Sequence, residues 1–147
     1  LARAERAESL LTSALRRLPG DPRLHSAIGH LDLVRQRPRH AERAYRAALD
    51  LAPHHDEARL GLGVVLARLA SMEADPIRRR RLQLQAIAQF AAVRQKSAVA
   101  LDARFDRAAL LADVGRRQEA RRWASTYFAA DSTSRWAELL RLRSGAP

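Results

Sequence analysis

An all-α solenoid of helix–turn–helix repeats, with an extra helix at each end, is the fold class that this sequence predicts. The first observation is a fixed step. Ala7, Glu8, Leu11, Ala14, Leu15 and Pro19 recur 34 positions later as Ala41, Glu42, Tyr45, Ala48, Leu49 and Pro53, and Ile28-Gly29 recurs as Leu62-Gly63. A step of this length is that of a two-helix unit that cannot bury its apolar face alone and must stack on a neighbour. The second observation is the choice of residues at the recurring places. Gly29 and Gly63 suit the point where one helix crosses the next, Ala41 and Ala48 keep the second helix close, and Tyr45 shares their face as a plug. The third is that no stretch alternates as a strand would.

Eight helices follow from the punctuation. The first covers about residues 2–18 and stops at Pro19-Gly20-Asp21-Pro22. A first complete hairpin takes residues 23–35 and 39–51, turning at Gln36-Arg37-Pro38. A second takes residues 56–70 and 76–95, with Pro76 in the first turn, where its missing donor costs nothing. A third takes residues 102–114 and 116–130, broken at Gly115. Ser134 then caps a short helix whose stripe of Trp136, Leu139 and Leu140 should lie over the last hairpin as a lid.

The stretch from His40 to Pro53, with Gly29, Gly63 and Tyr45, closely resembles the tetratricopeptide repeat family, and the resemblance runs over nearly the whole chain. The chain then divides as one domain, 1–147. It comprises a half repeat at 1–19, repeats at 22–55, 56–100 and 101–134, and a closing helix and tail at 135–147. The register slips once. Ala41 to Ala86 and Tyr45 to Phe90 are 45 apart, while Ala86 to Ala120 is 34 again. The eleven extra residues are expected in the turn of the middle hairpin, near 71–81, where a projecting insertion leaves a repeat core undisturbed.

The resemblance implies a non-catalytic interaction scaffold or regulatory module whose first helices line a concave groove for a peptide or a partner helix. The positions carried over are Arg23, Ser26, Ala27, His30 and Val34, then Glu57, Leu60, Val64 and Arg68, then Asp102, Phe105, Ala109 and Asp113. Leu60, Val64 and Phe105 would equally suit packing within their own repeats. Family members that clamp a carboxylate tail use bases and asparagine at set places, held here by Ser26, His30, Gly61, Asp102 and Asp106. Two acids among these would repel such a ligand. The closing stretch, with Phe105, Trp123, Tyr127, Phe128 and Trp136, resembles the ends of bacterial arrays that precede effector domains such as CHAT-type proteases. The partner implied is a protein or peptide, including another domain of a larger bacterial parent.

The net charge of +11 raises nucleic-acid binding as the alternative. Lys96 is the only lysine, and the arginines are spread through every helix, often near acids, as a solvated face would have them. Only weak, non-specific binding to anions at low salt is expected. Arg78, Arg79, Arg80 and Arg81 point in all directions from one helical turn, at the helix end that disfavours cations, and are candidates for docking an acidic partner. His54 and His55 with Asp56 and Glu57 have no metal-ligand spacing, so no metal or other cofactor is expected. Gly61-Leu62-Gly63 lacks the third glycine and the preceding strand of a nucleotide site, and nothing pairs a nucleophile with a base. There are no cysteines and no apolar run long enough for a membrane span. The expected location is cytoplasmic. A periplasmic one stays open because the chain starts at Leu1, as a truncated piece would.

Overall fold

The computed structural model describes residues 2–147, and its described residues are helical and contain no strand. Eight helices follow one another: α1 (Ala2–Arg17), α2 (Pro22–Val34), α3 (Pro38–Leu51), α4 (Asp56–Met72), α5 (Pro76–Ala91), α6 (Ala100–Asp113), α7 (Arg117–Phe128) and α8 (Arg135–Ser144). Their starts are chemically marked. Pro22, Pro38 and Pro76 open α2, α3 and α5, where a missing N–H is harmless. Asp21 accepts from the Arg23 backbone N–H at 2.9 Å, Asp75 from Ile77 at 2.9 Å, and Ser134 from Ala137 at 3.2 Å. Three of their ends are marked as well, that of α8 by the left-handed Gly145 (φ 62°). Gln36 (φ 61°) and Gly115 (φ 82°) stop α2 and α6 in the left-handed region at equivalent places of two hairpins. Glycine adopts that conformation freely, whereas Gln36 is held there with its side chain bonded to Arg68.

The helices pair as α2/α3, α4/α5 and α6/α7. Successive hairpins meet through α3 on α4 and α5 on α6, and α4 also touches α2 and α6. The chain is therefore a two-layer solenoid, with α2, α4 and α6 inside and α3, α5 and α7 outside. Volume is traded across each hairpin. Tyr45 lies against Gly29, and Phe90 against Gly63. In the third hairpin the equivalent pair is Ala108 and Ala124, both fully buried in one core cluster. One large residue meets one with no side chain, or two small ones meet.

The middle hairpin departs from expectation. Its turn, 73–75, is as short as the first hairpin's, 35–37. The extra residues are helix: α4 runs nine residues past Gly63 where α2 runs five past Gly29, and α5 starts ten before Ala86 where α3 starts three before Ala41. Eleven residues make three helical turns, so both helices return to the stack in register. The reason lies at Ala70. It occupies the place of Gln36 and Gly115 but is buried and helical, and no glycine or proline follows before Pro76. With no left-handed stop, the helix continues. No loop projects, and the hairpin is simply taller.

At the far end α8 packs on α6 and α7. It buries Ala137, Leu140 and Ser144, one face at i, i+3 and i+7, so that of the expected stripe Leu140 is buried while Trp136 and Leu139 are exposed. Trp136 is 60 % exposed and meets Phe105 edge-on, with ring centroids 5.7 Å apart. Beside Leu140, close packing selected the small Ala137 and Ser144 where Trp136 and Leu139 had been expected to lie.

Candidate interaction groove

The inner layer carries one large concavity, about 1030 Å³, between the first two hairpins. Arg23, Ser26, Ala27 and His30 line it from α2, and Glu57, Leu60, Gly61 and Val64 from α4. These residues recur at helical spacing, so each helix turns one continuous face inward. The floor is apolar, formed by Ala27, Leu33, Leu60 and Val64 around the ring of Tyr45.

Tyr45 is the polar exception on that floor. It is only 3 % exposed, and its ring is clasped between Gly29 and Gly61. A Cβ on Gly29 would come within 2.9 Å of the ring, and one on Gly61 would overlap the ring and approach the hydroxyl. The missing side chain of Gly61 thus opens the groove down to Oη. Burial pushes the phenol up to about 12, so it stays a hydrogen-bond donor throughout the physiological range. Among the described residues nothing in the chain bonds to it, leaving that donor available to a ligand.

The rim is basic and partly self-neutralised. Asp21 grips the Arg23 guanidinium at 3.0 and 2.7 Å. Those bonds hold Asp21 below its ordinary carboxylate value. His55 caps α4, its Nδ1 accepting from the Ala58 backbone N–H at 3.3 Å and lying 3.1 Å from Glu57. One wall is residues 92–99, which sequence reasoning did not assign to the groove. Arg94 ties this wall to α4: its Nε donates to Asp56 at 2.7 Å, its backbone N–H to Asp56 at 3.3 Å, and its Nη2 to the His54 carbonyl at 3.1 Å. Burial alone would raise the Asp56 carboxyl, but the bonds from Arg94 outweigh it and hold it below the usual range.

Asp56→Ala is expected to lower stability by about 1–3 kcal/mol, the range for a hydrogen bond to a charged group with an exposed partner. It should also speed amide exchange across 92–99, the wall it anchors. Unchanged exchange there would show that the wall holds itself.

The carried-over positions do not all meet in this concavity. Arg23, Ser26, His30, Glu57, Leu60 and Val64 line it. Val34 is 62 % exposed at the end of α2, and Arg68 is engaged with Gln36 at the first hairpin's turn. Asp102 and Phe105 border a separate pocket of about 270 Å³ beneath Trp136 and Tyr127, and Ala109 a pocket of about 190 Å³ near Arg143 and Asp113. Val64 lines both the large groove and the pocket at Ala109, so the two adjoin along the inner layer. Phe105, with Tyr127 at 5.6 Å and Trp136 at 5.7 Å, belongs to an aromatic cluster of the closing helices.

The four-arginine run does not form one patch either. Arg79 donates to the Glu73 and Ala74 carbonyls at the end of α4, at 3.0 and 3.2 Å, and Arg80 to the Val114 carbonyl at the end of α6, at 3.2 Å. Cations placed on helix C-terminal carbonyls satisfy groups the helices leave open, which removes the misfit seen in the sequence. Other arginines are also committed internally. Arg46 pairs with Glu42, Arg116 with Glu119 and Arg143 with Asp113, while Arg107 and Arg141 lie over Trp123 and Phe128. Among the described residues, no group of three His, Cys, Asp or Glu is placed to hold a metal ion, and no helix is long and apolar enough to cross a membrane.

The architecture is that of a tetratricopeptide-repeat protein. A crystal structure of a thermophilic protein of this class from Thermus thermophilus superposes with a TM-score of 0.82 over 99% of this chain and 76% of that one, at 19% sequence identity. No family model and no curated protein matches the sequence. The likeness is one of fold.

Proposed function

We propose that this chain is a non-catalytic protein–protein interaction module that holds a peptide segment or helix of a partner, including another domain of a larger parent protein, in the groove between its first two hairpins. The observation that carries the reading is the apolar floor around the unpartnered Tyr45 hydroxyl, about 1030 Å³ of open space with one donor at its base. An apolar side chain of the ligand fills the floor beside Leu60 and Val64, and a carbonyl or carboxylate accepts from Tyr45 Oη. The charges along the inner layer give the ligand a direction. Arg23 and Arg94, paired with Asp21 and Asp56, surround the groove with His30, His54 and Glu57, while Asp102, Asp106 and Asp113 follow on α6. An acidic segment is favoured at the first end and disfavoured at the second.

The test compares proteins retained from nuclease-treated native lysate by the wild type, by Leu60→Glu and by Tyr45→Phe, each checked for helicity and melting temperature. A set retained by the wild type, lost with Leu60→Glu and weakened about tenfold with Tyr45→Phe is expected. Retention by Leu60→Glu equal to the wild type's removes the groove from the interaction. Retention that vanishes on nuclease treatment transfers the function to nucleic acid.

A further inference from the structure

The over-tall middle hairpin creates a second surface, distinct from the groove. Its extra turns rise beyond α3 and leave a ledge of about 630 Å³, floored by Leu69, Met72 and Leu82 and walled by Arg39, Glu42 and Arg43, with Glu73 at its end. Leu69 and Met72 lie three apart on one side of α4, roughly opposite the groove residue Leu60. The apolar residues at this end are notably open, with Met72 68 % exposed and Ile77 72 % exposed. Met72 is the chain's one methionine. An unbranched, polarisable side chain left open between helices is the kind that moulds itself to an inserted helix.

Charge selects the visitor. Arg39 and Arg43 stand one turn apart on α3, and neither has an acid within ion-pair distance among the described residues. Of the acids close by, Glu42 and Asp75 face a guanidinium, and Glu73 keeps its charge with only a backbone partner. Glu42 is held by Arg46 at 2.6 Å, Glu73 accepts from the Asp75 backbone N–H at 3.1 Å, and Asp75 caps α5 and meets Arg78 at 3.5 Å. Arg78 sits one turn before Leu82 and so extends the basic rim along the same face of α5. The result is an apolar trough with free guanidinium groups along one side and a partly neutralised one at its end.

We propose that this ledge docks an acidic amphipathic helix of a partner protein. The helix lays its apolar face on Leu69, Met72 and Leu82, and its flanking carboxylates reach Arg39, Arg43 and Arg78. A trough between helices accepts another helix ridge-into-groove, and the planar guanidinium groups favour bidentate carboxylate pairing. Because α3 and α5 belong to the outer layer, the ledge and the groove can be occupied together.

Fluorescence anisotropy of labelled synthetic peptides on the full chain tests this. The first probe is a helical peptide with leucines at i, i+3, i+4 and i+7 and glutamates on its flanks. The second has lysines in place of the glutamates, and the third is a scramble of the first with the same charge and no stripe. The acidic helix should bind at least about tenfold tighter than either of the others. Met72→Glu and the double variant Arg39→Glu/Arg43→Glu should each weaken it about tenfold or more, whereas the groove variant Leu60→Glu should leave it within about twofold. Met72, Arg39 and Arg43 are exposed, so these variants keep the fold, and a melting curve verifies it. Equal binding of the scramble would reduce the effect to net charge and overturn the proposal. Loss with Leu60→Glu but not with Met72→Glu, or no binding of the acidic helix at all, would overturn it too. The groove reading above stands or falls separately, on Leu60.

Discussion

Gly61→Ala is expected to destabilise the protein by about 1–3 kcal/mol, although alanine in a helix interior normally gains up to about 1 kcal/mol over glycine. The sign reverses because a Cβ at Gly61 would overlap the Tyr45 ring. That ring has no room to retreat, since Gly29 already closes its other side, with a Cβ position 2.9 Å away. Tyr45→Ala should itself cost about 3–5 kcal/mol by emptying the space between the hairpins. In that background the obstacle is gone, and Gly61→Ala should become neutral or stabilising by up to about 1 kcal/mol. Urea unfolding of the four proteins of this cycle gives the coupling directly. Additive effects would mean that Tyr45 and Gly61 do not share the same space, and the account of the groove floor would fail with them.

This pair also shows where the sequence was legible. The step of 34 places Tyr45 and Gly29 in one hairpin from residue types alone, because only a missing side chain admits so large a ring at a helix crossing. The second clasp, by Gly61 of the next hairpin, was visible in the letters but carried no label. Gly61 has no counterpart at Ala27, so periodicity could not mark it. The tall hairpin was legible in size but not in form. A step of 45 gives the number of extra residues, but whether they loop or coil depends on the absence of a left-handed stop at Ala70, a local matter that repeat counting ignores. The site divides in the same way. Residues of α2 and α4 that face inward follow from helical spacing, and most of those named from it line the groove. Phe105, Asp102 and Ala109 do not: they border the smaller pockets that α6 forms with Trp136 of α8 and with α4, and the small Ala137 and Ser144 that seat α8 beside Leu140 were inconspicuous in the sequence. Arg94 was out of reach, since its bond to Asp56 spans 38 residues and no pattern links the two.

Asp106→Asn is expected to stabilise the protein at pH 7 by about 1–3 kcal/mol and to change little at pH 4. Asp106 faces the junction of α4, α6 and α8, where Val64, Ala67 and Phe90 lie on one side and Phe105, Tyr127 and Trp136 on the other. Burial first, and then Asp102 one turn away, push its carboxyl up to about 6, with Arg143, engaged by Asp113, offsetting them only in part. In the unfolded chain the same group titrates near its ordinary value of 3.8. Between those two values the native state binds more protons, so this group's contribution is full below about pH 4 and is lost as pH rises through about 6. Asparagine keeps the shape without the charge, and the difference between variant and wild type should open over that window and then stay flat. Asp131 works in the opposite direction lower down. Ser134 and Tyr127 hold it at about 2, so its support for the α7–α8 junction is present above its ordinary value and fades as pH falls toward about 2. The two windows do not overlap, and denaturant titrations at pH 4, 5, 6 and 7 isolate Asp106. A difference between Asp106→Asn and wild type that is constant across that range would show that the carboxyl takes up its proton in the folded protein as it does in the unfolded chain. The acid that closes the inner layer beyond the groove would then cost the fold nothing, and only its repulsion of an acidic ligand would remain.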